Sequence, residues 1–209
     1  DVKASRGLGD VYKRQLLGMA AVVAAGAMNG GDLKAAQAGL SGAVFQMFNH
    51  GTISAMLFIL VGVVYERAHH RDIDGFGGLA SQMPVYTGIT ALAFFAGLGL
   101  PGFSGFVSEA MCFIGAFPVF RTIVILSTIG ILLNAAYFLW AFQRVFFGKL
   151  NEKYKDMEEI NGLELFTVIP LAVITLFFGI YPGPYLDLIK ATMDQIIEKV
   201  AFVATYAAL

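Results

Sequence analysis

With 57% hydrophobic residues among 209, and a mean hydropathy of +0.71, the chain is more apolar than soluble domains, which hold roughly 45–50%. A net charge of −1 gives no electrostatic case for a nucleic-acid partner. The single cysteine, Cys112, excludes an intrachain disulfide and a thiolate metal site, and His50, His69 and His70 lack metal-motif spacing. No P-loop, nucleophile elbow or Cys-x-x-Cys occurs, and no segment is equipped to hold flavin, haem or an iron–sulfur cluster.

Residues 1–15, DVKASRGLGDVYKRQ, are polar and of mixed charge, and the chain turns apolar abruptly at Leu16. They show no signal-peptide pattern. The string GLGDVYKRQ reads as adaptor read-through of the kind found at the ends of genes assembled from environmental sequencing. The expectation is that residues 1–15 are not native and that an N-terminal part is missing; an ordinary polar tail is the alternative. Residues 16–28 are apolar but short of the about 20 residues a span needs, as in a cut transmembrane helix. Asn29-Gly30-Gly31-Asp32 is turn chemistry, and 33–38 is a short connecting helix or loop.

Residues 39–65 are long enough to span. Gln46, Asn49 and His50 recur at helical spacing and share a face. A polar stripe within a membrane helix faces the bundle or a cavity. His50 is either a proton relay, with an ordinary pKa of about 6.5, or a neutral histidine hydrogen-bonded between helices. Residues 66–82 form a charged loop with Arg67, His69, His70 and Arg71, expected to be solvated.

The apolar stretch 84–118 contains one ionisable carboxylate, Glu109. Gly99, Pro101, Gly102 and Gly105 precede it and predict a helix break near 101–106. An acid in hydrocarbon is costly and points to function, and a broken helix beside it suits an ion or proton pathway. A hydrogen bond between helices is the simpler alternative. Ser104 and Ser108 could bind water at the break or satisfy freed backbone groups. A second span, 120–147, carries Asn134, a candidate for interhelical hydrogen bonding, and ends in Trp140 and Arg144; Lys149, Lys153 and Lys155 follow. The positive-inside rule places this basic loop on the side of Arg67 and Arg71. The chain must then cross twice between them, so 84–118 counts as one broken crossing.

Residues 163–181 form the last clear span, with Pro170 inside it. Residues 185–200 are amphipathic: Leu188, Ile189, Met193, Ile196, Ile197 and Val200 oppose Asp187, Lys190, Asp194, Glu198 and Lys199. The helix is expected on the outer membrane face or against a neighbour. The predicted fold is an all-α membrane protein of about five transmembrane helices, one broken near 101–106, with a C-terminal amphipathic helix. The unit boundaries fall at 1–15, 16–185 and 186–209.

FQMFNHG, YERAHHRDIDGFGGL, LGLPGFSGFVSE and QRVFFGK, in that order, resemble the C-terminal part of the M-type (chain 4) antiporter-like membrane subunit of proton-translocating NADH–quinone oxidoreductase, respiratory complex I. Sister L- and N-type chains and cation/proton antiporters usually carry Lys where this sequence has Glu109, and membrane subunits of energy-converting hydrogenases can also carry Glu. The resemblance implies that Glu109 is the acid of an exit half-channel and His50 a relay, with Gln46, Asn49, Ser104 and Ser108 as lesser members. It implies no cofactor in this chain, since NADH, FMN, iron–sulfur clusters and quinone belong to other subunits. The implied partners are the L-type and N-type chains and the lipid bilayer, in a multi-pass arrangement in a bacterial inner membrane. The upstream lysines of the family's pathway lie outside this sequence, so this stretch alone is not expected to pump.

Overall fold

In a computed structural model, the structure describes residues 33–207, without the side chains of 201 and 203–207. The expectations for residues 1–15 and 16–28 lie outside the described residues. Within them the chain forms helices α1 (Leu33–Ala68), α2 (Pro84–Leu98), α3 (Ser104–Ala116), α4 (Arg121–Phe146), α5 (Gly162–Ile180) and α6 (Gly183–Ala207). Single 3-10 turns lie at Ile73–Gly75, Leu79–Ser81 and Glu152–Tyr154.

α1 absorbs 33–38, expected as a connector, into one helix of 36 residues. At 1.5 Å per residue it is about 54 Å long, beyond the roughly 30 Å hydrocarbon layer. α1, α4 and α5 are each long and apolar enough to cross a membrane; α2 and α3 are shorter. Contacts with α1 show how the short pair is used. Tyr86 reaches Leu60, Gly97 and Gly105 approach Ile53, Asn49 bonds Ser104 and Ser108, and Gly115 lies on Gly39. The α1 partner falls steadily from 60 to 39 as the number on α2–α3 rises. The two half-helices therefore run one after the other, antiparallel to α1, as the two arms of one broken helix.

The break spans 99–103, two residues earlier than expected at one end and three at the other. Gly99 (φ 73) and Gly102 (φ 100) take left-handed backbone that favours glycine. The Gly99 amide bonds the Ala96 carbonyl and the Leu100 amide the Phe95 carbonyl, so α2 ends in a Schellman motif. Ser104, Gly105 and Phe106, expected to be unwound, already lie in α3.

The two basic loops meet at one end of the bundle. The Gly78 amide bonds the Phe147 carbonyl, and the Asn151 amide bonds the Gly77 carbonyl. Arg144 reaches Asp74 at 2.8 Å and lies 4.6 Å over the Trp140 ring. The loop at 66–82 is more built than expected. Leu79 and Met83 are fully buried, and His70 stacks on Phe76 and hydrogen-bonds Tyr154. Arg67 grips both Glu164 carboxylate oxygens at 2.9 Å and the Glu158 and Glu159 carbonyls, which ties α1 to the start of α5. Glu164 also closes a capping box with Asn161. The Glu159 carboxylate accepts from the Val85 and Tyr86 amides and caps α2 from a distant loop.

α6 extends the expected 185–200 helix at both ends and packs on α1. Tyr185 stacks on Phe45 at 4.7 Å, and Gln37 donates to Asp194. Met193 is buried. Leu188 and Ile196 of the apolar stripe face outward.

Candidate functional site

Glycine decides how closely α1 and α3 approach. A Cβ on Gly115 would come 2.5 Å from Gly39 Cα, and one on Gly42 would come 2.7 Å from Met111 Cβ. Near-contact of the two backbones places the polar stripe of α1 directly on the first two turns of α3. Asn49 and Ser108 are almost fully buried there, and Glu109 is 7% exposed.

The hydrogen bonds form a chain. Asn49 Nδ2 donates to the Ser104 carbonyl and to Ser108 Oγ, both at 2.9 Å. Ser108 Oγ donates to Gln46 Oε1. Gln46 Nε2 points at Glu109 Oε1 from 3.5 Å, the long limit of a hydrogen bond. Asn49 Oδ1 is buried and faces no donor, the kind of site an internal water fills. Five of the six expected residues (Gln46, Asn49, Ser104, Ser108 and Glu109) thus fall in one cluster. Ser104 takes part through its carbonyl, a backbone role. His50 hydrogen-bonds Ser54, one turn on along α1, through Nε2 at 2.8 Å.

The break shapes the other wall. A Cβ on Gly99 would lie 2.8 Å from Glu109 Oε2, so the carboxylate rests against the left-handed residue that ends α2. The Gly97 carbonyl, freed there from the helical ladder, accepts from Asn134 Nδ2 at 3.1 Å. The sequence marked Asn134 as an interhelical residue but carried no signal for its partner. α5 covers the turn: Gly179 lies on Gly102 and Phe103 with no room for a Cβ. Among the described residues no group of three or more His, Cys, Asp or Glu is placed to hold a metal ion. The arrangement can do one kind of chemistry: hold a carboxyl group in hydrocarbon, with donors and acceptors that serve either protonation state.

A helical bundle with helices long and apolar enough to cross a bilayer, and a buried acid beside a helix break, defines an integral membrane protein. A sequence profile described as NADH:quinone oxidoreductase/Mrp antiporter, TM, matches residues 5–134, and the chain belongs to this family. It is 39% identical over 187 residues to NADH-quinone oxidoreductase subunit M of Rhodobacter capsulatus, covering 89% of this chain and 36% of the relative. It is 37% identical to F(420)H(2) dehydrogenase subunit M of Methanosarcina mazei, over 78% of this chain and 33% of the relative. The chain therefore spans about a third of the length of these curated relatives. Among solved structures it resembles a chain of respiratory complex I from Thermus thermophilus with bound NADH, at TM-score 0.74 and 26% identity, over 89% of this chain and 37% of that one. A chain of the Mrp complex from Dietzia sp. DQ12-45-1b shares the fold at TM-score 0.67 and 19% identity, over 79% of this chain and 40% of that one.

Proposed function

We propose that this chain is the proton-carrying C-terminal part of an M-type subunit in a redox-driven, proton-translocating membrane complex. The observation that carries the reading is Glu109, buried at a helix break and facing an amide–hydroxyl chain from α1. Glu109 takes up a proton from the polar axis of the assembled complex and releases it to the other side. His50 serves as relay on α1; Gln46, Asn49 and Ser108 hold the path open. The chain itself holds no redox centre, and NADH, FMN, iron–sulfur clusters and quinone stand on other subunits. Its neighbours are the L-type and N-type chains, in a bacterial inner membrane. Relatives at 37–39% identity are named as subunits of NADH-quinone and F(420)H(2) dehydrogenases, which favours a redox-coupled role over an independent cation/proton antiporter.

The test is Glu109→Gln in the full-length subunit of the assembled complex. Gln keeps the shape and removes the titrating group. Proton uptake into inverted membrane vesicles driven by the electron donor should be lost while assembly is retained. Full pumping by the Gln variant overturns the reading.

A further inference from the structure

Two amides lie in the cluster, and their surroundings differ in kind. Asn49 Nδ2 faces a backbone carbonyl, that of Ser104, at 2.9 Å. A carbonyl only accepts, so the Asn49 amide has one orientation, and its Oδ1 is left buried without a donor as a result. Gln46 has no such anchor. Its Oε1 accepts from the Ser108 hydroxyl, and its Nε2 faces a Glu109 carboxyl oxygen. Both partners can donate or accept, the second according to its protonation state.

Ser108 completes the condition. Its hydroxyl has one hydrogen and three acceptors in reach: Gln46 Oε1, the Gly105 carbonyl at 3.0 Å and the Ser104 carbonyl at 3.2 Å. In the arrangement seen, donors run in one direction, from Asn49 through Ser108 and Gln46 to the Glu109 oxygen. That polarity serves a carboxylate. When Glu109 carries its proton on Oε1, the oxygen that faces Gln46, that O–H needs an acceptor and the Gln46 N–H loses one. Turning the Gln46 amide over places Oε1 toward the Glu109 hydroxyl and Nε2 toward Ser108 Oγ. Ser108 then gives its hydrogen to the Gly105 carbonyl, already in place. The hydrogens that join Ser108, Gln46 and Glu109 thus have an acceptor in both states. A fully buried unmatched donor costs about 1–3 kcal/mol; at the half-buried Gln46 a part of that cost favours turning the amide over with the proton.

We infer that Gln46 is a protonation-coupled amide switch, which turns over as Glu109 gains or loses its proton, with Ser108 as the pivot that re-aims its hydroxyl. Gln46 is a positioning residue here. Among the described residues, α1 also carries the titratable His50, bonded to Ser54, and α3 carries Cys112 one turn beyond Glu109. Tyr185 of α6 lies on Phe45 and Phe48. Arg121 and Arg144 of α4 and Glu164 of α5 stand near their helix ends. The switch reports to α1, so it links the acid at the break to the helix that carries His50.

This inference rests on Glu109 as the proton carrier, and one experiment separates the two. Acid-minus-base infrared difference spectra are recorded on the assembled complex in membranes, with isotope-labelled glutamine. The band absent in Glu109→Gln identifies the carboxyl, and the band absent in Gln46→Met identifies the switch amide; Gln46→Asn serves if the Met variant fails to assemble. The expected result is an amide band that shifts at the same pH midpoint as the carboxyl band. In Ser108→Ala the amide shift should be lost while the carboxyl still titrates, and Ser108→Thr should restore it. A carboxyl that titrates while the Gln46 band stays fixed overturns the switch. If no band assigned to Glu109 changes with pH, the proton-carrier reading falls, and the switch with it.

Discussion

Adding a methyl group at Gly99 separates the backbone strain of the break from its contact with the acid. Gly99 has φ 73, and its Cβ would stand 2.8 Å from Glu109 Oε2. A left-handed conformation costs a non-glycine residue about 1–2 kcal/mol. The clash adds little to that, because the far end of a flexible side chain is what must give. The carboxylate must retreat by roughly 0.6 Å to reach ordinary contact distance. That shift displaces the carboxylate relative to Gln46, whose contact at 3.5 Å is already at the long limit of a hydrogen bond. Gly102 provides the control: its φ of 100 imposes comparable strain, and nothing lies within 4 Å of its Cβ. Gly99→Ala and Gly102→Ala should each destabilise by about 1–2 kcal/mol, read as similar falls in the thermal midpoint of the assembled complex. Donor-driven proton uptake should fall on the order of 10-fold in Gly99→Ala alone, the effect of about 1.4 kcal/mol in a barrier. Equal pumping losses in the two variants would show that the backbone, and not the placement of Glu109, sets the rate.

Three further outcomes test the scaffold. Arg67→Ala removes a bidentate carboxylate pair and two loop carbonyl contacts; with the pair about 15% exposed, the loss should be about 2 kcal/mol, seen as faster proteolysis of the loop after α4. Gly115→Val should abolish assembly, since its Cβ would fall 2.5 Å from Gly39 Cα, whereas Gly51→Ala, with open space around it, should assemble normally on a native gel. Asn134→Leu frees the Gly97 carbonyl at the break; about 1–2 kcal/mol should be lost, with a thermal shift that Asn134→Gln partly restores.

The break and its acid were legible because their signals are local. Pro101 removes a donor, the surrounding glycines weaken the helix, and a lone carboxylate in an apolar run stands out against its neighbours. The stripe on α1 was legible for the same reason, since helical spacing alone puts Gln46 and Asn49 on one face. The exact limits of the break were not. They depend on Gly99 taking a left-handed turn and on Gly105 being pressed against the Ala96 carbonyl within α3. The loop contacts were hidden for a different reason. Arg67 finds Glu164 97 residues away, and Glu159 caps a helix 73 residues upstream of it. A charge run read alone looks solvated, because nothing in its own composition shows which distant donors it will meet.

The same glycines serve fold and site together, and this constrains what could replace them. Gly39, Gly42 and Gly115 let α1 and α3 touch, and that contact alone brings Gln46 and Asn49 within hydrogen-bonding distance of Ser108 and Glu109. Between wider helices the acid would face apolar side chains and could not ionise in hydrocarbon. Tight packing without the break would leave no left-handed turn for the carboxylate to rest against. A carboxyl that loads and releases a proton needs partners for both of its states. In the role proposed for Glu109 they come from a hydroxyl and an amide whose roles can be exchanged, while Asn49 is held by a backbone carbonyl.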